Sequence, residues 1–236
     1  MQEQSPPKNQ TTAFADRDVW IFDLDNTLYP PESNLFTEID MKMGAFIANL
    51  LQVDRTEARR IQKHYFKEYG TTLNGLMNVH NIDPNAFLDY VHDIDHSAIK
   101  PNPELENALR KLPGSKFIFT NGTVSHAENV LQRLGITEFF IDIFDIRTTE
   151  YIPKPHLEAY QTVVSKANLS PQRSVMFEDL PRNLQVPNEL GMMTVWVRSD
   201  VRVGHMEASL IADDNQPFID FATENLTEFL ENECIS

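Results

Sequence analysis

Short apolar segments rich in β-branched and aromatic residues alternate with helical segments over much of the chain. The segments with strand length and composition are residues 18–24, 115–122, 139–144, 174–179 and 194–199. The segments between the later strands carry helix-capping signals, including glycines that end two predicted helices. Continuous apolar strands separated by helices indicate a parallel sheet covered on both faces. We therefore predict an α/β fold.

A helical pattern interrupts this alternation after the first strand. Apolar residues at helical spacing form one stripe, which comprises Leu35, Phe36, Ile39, Met43, Phe46, Ile47 and Leu50. Asp54 with Glu57 resembles a capping box, Gly70 marks a helix end, and Asp83-Pro84 begins another helix. Ligands of open parallel sheets bind at the carboxyl ends of the strands. An insertion leaving from such an end is expected to cover the site as a lid.

These patterns give a domain division. The polar, proline-containing residues 1–15 predict a disordered N-terminal tail. We expect an α/β core made of residues 16–30 and 100–236, and a helical cap over residues 31–99. Within the core, the chain after Asp200 is expected to be loop-like up to a last helix at residues 223–232.

Composition limits the kind of partner. The 236 residues carry a formal net charge of −15, which argues against nucleic acid because a polyphosphate would be repelled. The single cysteine, Cys234, can form no intramolecular disulfide and no cysteine metal cluster. No apolar run reaches the length of a membrane span, and the N-terminus lacks the pattern of a secretory signal. We expect a cytoplasmic protein with no membrane partner.

Polar side chains follow the predicted strands at the points where the strands end. They are Asp23 and Asp25, Thr120 and Asn121, Lys154, and Glu178 with Asp179. Taken singly, each also fits a turn, a helix cap or a solvated loop, but their joint occurrence at four successive strand ends favours a catalytic site. Several carboxylates in one pocket repel one another unless a cation neutralises them. Oxygen ligands without histidine or cysteine favour Mg²⁺.

The four clusters resemble the haloacid dehalogenase (HAD) superfamily of phosphohydrolases. The segments "DLDNT", "FTNG", "IPKP" and "FEDLPRN" match its four motifs in order, and the likeness runs from Asp18 to Val197. The resemblance implies a Rossmann-like parallel-sheet core with an inserted all-helical cap of the C1 type. More narrowly, "DLDNTLYP", "YGTTLNGL", "VHDIDHS" and "YIPKP" resemble the pyrimidine 5′-nucleotidase branch.

The resemblance assigns roles to the matching residues. Asp23 is the expected nucleophile, which forms an aspartyl-phosphate, and Asp25 is the expected general acid and base. Lys154 is expected to neutralise the transferring group and to keep Asp23 ionised. Thr120, with the backbone amides of Asn121 and Gly122, is expected to bind the phosphoryl oxygens.

A Mg²⁺ ion is the expected cofactor. Its expected ligands are Asp23, Asp179 and the backbone carbonyl of Asp25. Glu178 and Asn183 are expected to support the metal from the next layer or through water, although either could also bind it directly.

Substrate selection is expected to depend on the cap. We predict that "YGTTLNGL", residues 69–76, forms a polar loop between two helices and points into the pocket. Tyr69 could stack on a base, and Thr72 or Asn74 could hydrogen-bond a base edge, although packing of Tyr69 within the cap fits equally well. The seven histidines show no metal-ligand spacing, so we expect structural or surface roles for them.

The predicted function is Mg²⁺-dependent hydrolysis of a small phosphomonoester, with a pyrimidine nucleoside 5′-monophosphate such as UMP or CMP as the leading substrate. Sugar phosphates and phosphomutase chemistry remain alternatives that only cap contacts would separate. A phospho-accepting receiver module has its acid pair early in the chain rather than late and has no cap. Dehalogenase chemistry needs no acid at Asp25 and no metal.

Overall fold

A single parallel sheet forms the centre of the molecule. The computed structural model describes residues 13–199 and 216–235. Its strands are β1 (Val19–Phe22), β2 (Ser115–Phe119), β3 (Asp142–Phe144), β4 (Ser174–Glu178), β5 (Met193–Val197) and β6 (Phe221–Thr223). They lie in the order β3-β2-β1-β4-β5-β6, and every neighbouring pair is parallel. The predicted α/β Rossmann-like fold is confirmed.

The sheet has one strand more than the sequence pattern predicts. β6 pairs with the edge of β5, with Val195 opposite Phe221. Three residues are too few for a period-two pattern to be recognised, and the strand is fixed by a long-range contact: the Thr194 hydroxyl donates to the Phe218 carbonyl at 2.7 Å. The last helix is also shorter than predicted, because α9 (Leu226–Phe229) passes into a π-helical turn over Leu230–Cys234. Residues 200–215 of the predicted loop lie outside the described residues.

The first four of the five α-helices between β1 and β2 form the insertion. They are α1 (Leu35–Leu51), α2 (Arg55–Tyr69), α3 (Thr72–His80) and α4 (Pro84–His92). As the sequence predicts, Asp54 caps α2 by accepting from the Glu57 amide at 2.9 Å, and Asp83 caps α4 with proline in the first turn. The four helices share an apolar cluster, which Ile146 and Tyr151 also join. This cluster supports our proposal that residues 31–99 form a cap and residues 16–30 and 100–236 form the core.

The prediction of a loop over residues 69–76 is wrong. Gly70, with a φ of 81°, ends α2, and Thr71 begins α3 by accepting a hydrogen bond from the Asn74 amide at 3.1 Å. A threonine directly after the helix-ending glycine can act as an N-cap as easily as a loop residue. The segment is therefore a tight junction between two helices rather than an extended loop.

The remaining helices cover the two faces of the sheet. They are α5 (Pro103–Lys111), α6 (Val124–Leu134), α7 (Leu157–Lys166), α8 (Gln185–Glu189) and α9. Alternate strand residues point to opposite faces. Phe22 and Phe177 accordingly stack on one face, with ring centroids 4.6 Å apart, whereas Ile21 and Met176 belong to the apolar cluster on the other.

The N-terminal boundary lies earlier than predicted. Residues 1–12 of the predicted tail lie outside the described residues, but Phe14 is buried in the core and its ring stacks on Trp20. Within the described ranges, no helix combines the length and the apolar character needed to cross a membrane.

Candidate active site

The ends of β1 and β4 bring the first and fourth polar clusters together. The Asp23 amide continues the sheet by donating to the Phe177 carbonyl at 2.9 Å. Regular strand geometry then ends, because Asn26 adopts the left-handed conformation with a φ of 59°, which asparagine tolerates better than most residues. Asp23 and Asp25 consequently both line one cavity beneath the inserted helices.

Lys154 lies at the centre of the cluster. Its Nζ donates to Asp23 Oδ1 at 2.7 Å and to the Phe119 carbonyl at 2.8 Å, and lies 3.2 Å from Glu178 Oε1. Burial opposes the charge on this lysine, but the two carboxylates outweigh burial and raise the pKa of Lys154. The structure thus places a buried cation against the predicted nucleophile, although the two residues are far apart in the sequence.

Three carboxylates gather around this single lysine. One oxygen each from Asp23, Glu178 and Asp179 lies within 4.8 Å of the others. Burial and the charge of Glu178 raise the pKa of Asp23 to about 8 and outweigh the opposite effect of Lys154. The expectation that Lys154 keeps Asp23 ionised is therefore wrong for the protein without a metal ion. Burial and the charge of Glu178 also raise the pKa of Asp179 well above its ordinary value. Three carboxylates against one lysine leave an excess of buried negative charge, so the donor set fits a hard divalent cation.

Glu178 and Asn183 are already bonded to each other. The Asn183 amide donates to Glu178 Oε1, and Glu178 Oε2 accepts from the Asp179 amide at 2.9 Å. The two carboxylate oxygens of Glu178 are therefore already in contact with Lys154, Asn183 and the Asp179 backbone amide. Asn183 Oδ1 is buried without a hydrogen-bond partner, and Asn183 lines the cavity. This arrangement fits a supporting position for Glu178. It leaves the side-chain oxygen of Asn183, Oδ1, available to a metal-bound water.

Asp25 is held by two residues that sequence reasoning did not select. The Tyr29 hydroxyl and His126 Nε2, the latter at 2.8 Å, both bond Asp25 Oδ1. Burial works to raise the pKa of Asp25, but electrostatic attraction to His126, together with the hydrogen bonds from His126 and Tyr29, outweighs it and holds that pKa below its ordinary value. Burial and the neighbouring Asp25 raise the pKa of Tyr29, so its hydroxyl remains a donor.

The segment after β2 forms a compact turn beside Asp23. The Thr120 hydroxyl accepts from the Gly122 amide at 2.9 Å, and Asn121 exchanges hydrogen bonds with the Lys154 backbone, one of them at 2.9 Å. The Asn121 side chain thereby ties the second cluster to the third. The Gly122 amide is already bonded in this state, whereas the Thr120 hydroxyl proton remains available to an incoming oxygen. All three residues line the cavity.

The inserted helices α1 to α4 line one side of the cavity with apolar side chains. These side chains include Phe36, Ile39, Met43, Phe66, Phe87 and Val91. Thr72 lines the same side, and its hydroxyl is buried without a hydrogen-bond partner. Tyr69 instead packs edge-on against Tyr65. The side-chain amide of Asn74 donates to the Tyr69 carbonyl at 2.8 Å. Of the three cap residues predicted to meet the substrate, the structure brings only Thr72 to the cavity.

An arginine from the core also reaches the cap. Arg182 lies over the Phe66 ring at 4.1 Å, and its Nη2 donates to the Gly70 carbonyl at 2.8 Å. Its Nε is buried without a partner, and the residue lines the cavity. The sequence offered one signal for this residue, because Arg182 directly precedes Asn183 in the fourth cluster.

Three neighbouring histidines lie beside Asp25, an arrangement that the sequence did not predict. His126 bonds Asp25, His96 bonds His126, and the His92 ring lies 4.9 Å from the His126 ring. Burial lowers the pKa of His92 to about 4, so this ring is neutral near pH 7. His126 could have been noticed, because it lies in the first turn of the helix that follows the Thr120–Gly122 turn.

Comparison with known proteins identifies the family. A sequence model of the haloacid dehalogenase-like hydrolases matches residues 18–191, which contain all four clusters. This chain belongs to the HAD-like hydrolase family. A relative of this HAD hydrolase, phosphate metabolism protein 8 of Saccharomyces cerevisiae, is 29% identical over 208 residues, which cover 80% of this chain. The chain spans 64% of the length of that relative.

Solved structures of other family members share the fold. A HAD phosphatase from Thermococcus onnurineus is 17% identical, with a TM-score of 0.59 over 91% of this chain and 96% of its own. A 2-haloacid dehalogenase from Pseudomonas syringae is also 17% identical, with a TM-score of 0.55 over 91% and 97% of the two chains. Because phosphatases and dehalogenases both match, this likeness shows the fold of the HAD hydrolase and leaves its reaction to the site residues.

Proposed function

We propose that this HAD hydrolase is a Mg²⁺-dependent phosphomonoesterase that acts through an aspartyl-phosphate at Asp23. The observation that carries the proposal is the position of Asp25, whose carboxylate lines the same cavity as Asp23 and is bonded by His126 and Tyr29. Ester cleavage at phosphorus needs a proton for the leaving oxygen and a base for the attacking water. Dehalogenation expels a halide, which leaves as a stable anion and needs no proton from an acid.

The first step follows from the contacts of Asp23. A carboxylate oxygen of Asp23 attacks phosphorus while the bond from phosphorus to the substrate oxygen breaks. Lys154, 2.7 Å from Asp23, neutralises charge at this point, and the Thr120 hydroxyl donates to a phosphoryl oxygen. The leaving oxygen takes its proton from Asp25. A phosphoryl anion brought next to Asp25 raises the pKa of that carboxyl, which favours the protonated form this step needs.

The second step returns the enzyme to its starting state. Asp25, now ionised, removes a proton from water, whose oxygen attacks the phosphorus of the aspartyl-phosphate. The bond between phosphorus and Asp23 breaks, phosphate leaves, and the Asp23 carboxylate and protonated Asp25 are restored.

Asp23, Asp179 and the backbone carbonyl of Asp25 are the proposed Mg²⁺ ligands, with Glu178 and Asn183 supporting them. The cluster of three carboxylate oxygens within 4.8 Å supports this assignment. A bound Mg²⁺ would withdraw charge from the phosphoryl oxygens and offset the repulsion between Asp23 and the substrate. The name of the yeast relative refers to phosphate metabolism, which is in keeping with the proposal.

A pyrimidine nucleoside 5′-monophosphate such as UMP or CMP is the proposed substrate. The cap wall is apolar and carries the unpartnered hydroxyl of Thr72, which suits a flat ring with hydrogen-bonding edges better than a fully hydroxylated sugar. Sugar phosphates and phosphomutase chemistry are the alternatives, and they share the same core residues.

A phosphate-release screen tests the proposal. Nucleoside monophosphates and sugar phosphates are offered to the purified chain with Mg²⁺ or with EDTA. We expect release that depends on Mg²⁺ and is fastest with UMP or CMP. Release from no substrate contradicts the phosphomonoesterase assignment, whereas faster release from sugar phosphates contradicts only the substrate assignment.

A further inference from the structure

A chain of two histidines leads away from Asp25. His126 Nε2 lies 2.8 Å from Asp25 Oδ1, and His126 Nδ1 lies 3.0 Å from His96 Nε2. His126 is buried, with 1% of its surface exposed, whereas His96 is half-buried. These two hydrogen bonds therefore connect Asp25, in the interior of the site, to a half-buried residue nearer the surface of the protein.

The Asp25 carboxylate fixes the direction of its bond with His126. An ionised carboxylate can only accept, so His126 Nε2 must carry the proton that it shares with Asp25. In a neutral His126 the other ring nitrogen, Nδ1, is then an acceptor, and His96 Nε2–H donates to it. The contact with His96 thus selects the tautomer of His126 that can bond Asp25.

Both side-chain hydrogen bonds to the Asp25 carboxyl go to the same oxygen. Tyr29 and His126 donate to Oδ1, and within the described residues no group donates to Oδ2. With one oxygen anchored twice, the carboxyl cannot rotate freely, and Oδ2 is the atom left for proton exchange in the cavity. General acid catalysis depends on this orientation, because the acid must lie within hydrogen-bond reach of the leaving oxygen.

His96 lies in the segment that returns from the proposed cap to the core. It begins the 3₁₀ turn His96–Ala98 between α4 and α5, and its carbonyl accepts from Arg133 Nε of α6 at 3.2 Å. His126 is on the same helix as Arg133, in its first turn. α6 therefore contacts this return segment at two points, one of which is the bond to His126.

We propose that His126, held in one tautomer by His96, is a positioning residue that orients Asp25 for proton transfer to the leaving group. This inference rests on the proposed phosphomonoesterase function. It assigns to His126 no contact with the substrate: the residue acts through Asp25. It also links the orientation of the acid to the return segment of the cap.

A comparison of two leaving groups tests the proposal. p-Nitrophenolate leaves as a stable anion without protonation, whereas the 5′-oxygen of UMP leaves as an alkoxide that needs a proton. We use kcat/KM because it reports the steps up to formation of the aspartyl-phosphate. For His126→Ala we expect a loss of about 10- to 100-fold with UMP, and kcat/KM near the wild-type value with p-nitrophenyl phosphate.

Three further variants separate positioning from general damage. His126→Gln keeps an N–H donor and is expected to recover most of the UMP activity. His96→Ala, at a half-buried position, is expected to lose UMP activity selectively but by less than His126→Ala, and it carries the test if His126→Ala does not fold. His64→Ala, at an exposed histidine of α2, is the matched control and should behave as wild type with both substrates. Thermal unfolding monitors the fold of each variant.

The outcomes are distinct. Equal losses with both substrates in folded His126 and His96 variants, or no loss with UMP, overturn the positioning role while leaving the phosphomonoesterase function intact. A folded wild-type protein that releases phosphate from neither compound overturns the proposed function, and the inference fails with it.

Discussion

Lys154 Nζ lies 2.7 Å from Asp23 Oδ1, in a site where both side chains are buried. Asp23 directly follows β1, whereas Lys154 lies in the connection between β3 and α7. The lysine also lies 3.2 Å from Glu178. One cation thus serves two carboxylates, and a third carboxylate, Asp179, lies beside them. The charge balance of this group gives the first two predictions.

Replacing Lys154 should damage both activity and stability. Lys154→Met keeps the length of the side chain but leaves buried carboxylates without their cation. We expect kcat/KM to fall by at least about 100-fold and the melting temperature without metal to fall more at about pH 8 than at about pH 5, because the carboxylates are more ionised at the higher pH. Lys166→Met, at an exposed position in the last turn of α7, is the control. Wild-type activity in Lys154→Met contradicts the assigned role.

Magnesium should stabilise the protein in a pH-dependent way. The pKa of Asp23 rises from an ordinary 3.8 to about 8 on folding, so the folded chain holds more protons than the unfolded chain between these values. Without metal, stability therefore falls as the pH rises through this window. Mg²⁺ binds the ionised carboxylates, so we expect it to raise the melting temperature by a few degrees at about pH 8 and by less at about pH 5.

Asp179→Asn is the matched variant for this measurement. It removes one carboxylate from the cluster and one proposed ligand. We expect a higher melting temperature than wild type in EDTA at about pH 8, and no further gain from Mg²⁺. If Mg²⁺ leaves the melting temperature of the wild type unchanged at every pH, the cluster is not a metal site.

The cap prediction concerns Thr72 and Asn74. Thr72→Val removes the unpartnered hydroxyl in the cavity with little change of shape, so we expect KM for UMP to rise several-fold, by about 1 kcal/mol of binding energy, while p-nitrophenyl phosphate is unaffected. Asn74→Ala should leave KM for UMP unchanged and lower stability slightly, since Asn74 bonds the Tyr69 carbonyl. If Asn74→Ala raised KM for UMP and Thr72→Val did not, Asn74 rather than Thr72 would be the residue that binds the substrate.

The sequence was sufficient for the parts of the fold that depend on local pattern. Buried strands such as Ser174–Glu178 are continuous apolar runs, and helix starts such as Asp54 carry capping residues that act within one turn. β6 escaped prediction because a three-residue edge strand is fixed by its neighbour rather than by its own pattern. The junction at Gly70 and Thr71 was misassigned because the same residues suit a loop and a helix cap.

The candidate site divides in the same way. Asp23, Thr120 and Asp179 directly follow strands, where parallel topology alone brings them together. Lys154 lies further along the connection after β3 and is held there by hydrogen bonds with Asn121. His126 and His96 meet Asp25 through the packing of α6 against the return segment of the cap, which no local pattern encodes. Neither histidine has a metal-ligand spacing. His126 has only its place in the first turn of α6 as a signal in the sequence, and His96 has none.

Asp25 should be required for breakdown of the covalent intermediate. Asp25→Asn keeps a similar shape but cannot remove a proton from water. With p-nitrophenyl phosphate, whose leaving group needs no proton, we expect a burst of p-nitrophenolate followed by turnover at least about 100-fold slower than wild type. Rapid-quench kinetics measure the burst. Steady turnover at the wild-type rate would show that another group activates the water.

The nucleophilic role of Asp23 is tested most directly by trapping the intermediate. The enzyme is quenched during turnover of UMP with Mg²⁺, the acyl phosphate is reduced with borohydride, and the peptide that contains residues 19–25 is sequenced by mass spectrometry. We predict reduction of Asp23 to homoserine in the wild type and none in Asp23→Asn. If p-nitrophenyl phosphate replaces UMP, so that the leaving group needs no proton, we expect a higher yield in Asp25→Asn than in the wild type. Phosphate release at the wild-type rate by Asp23→Asn, with no reduced residue at position 23, contradicts the account.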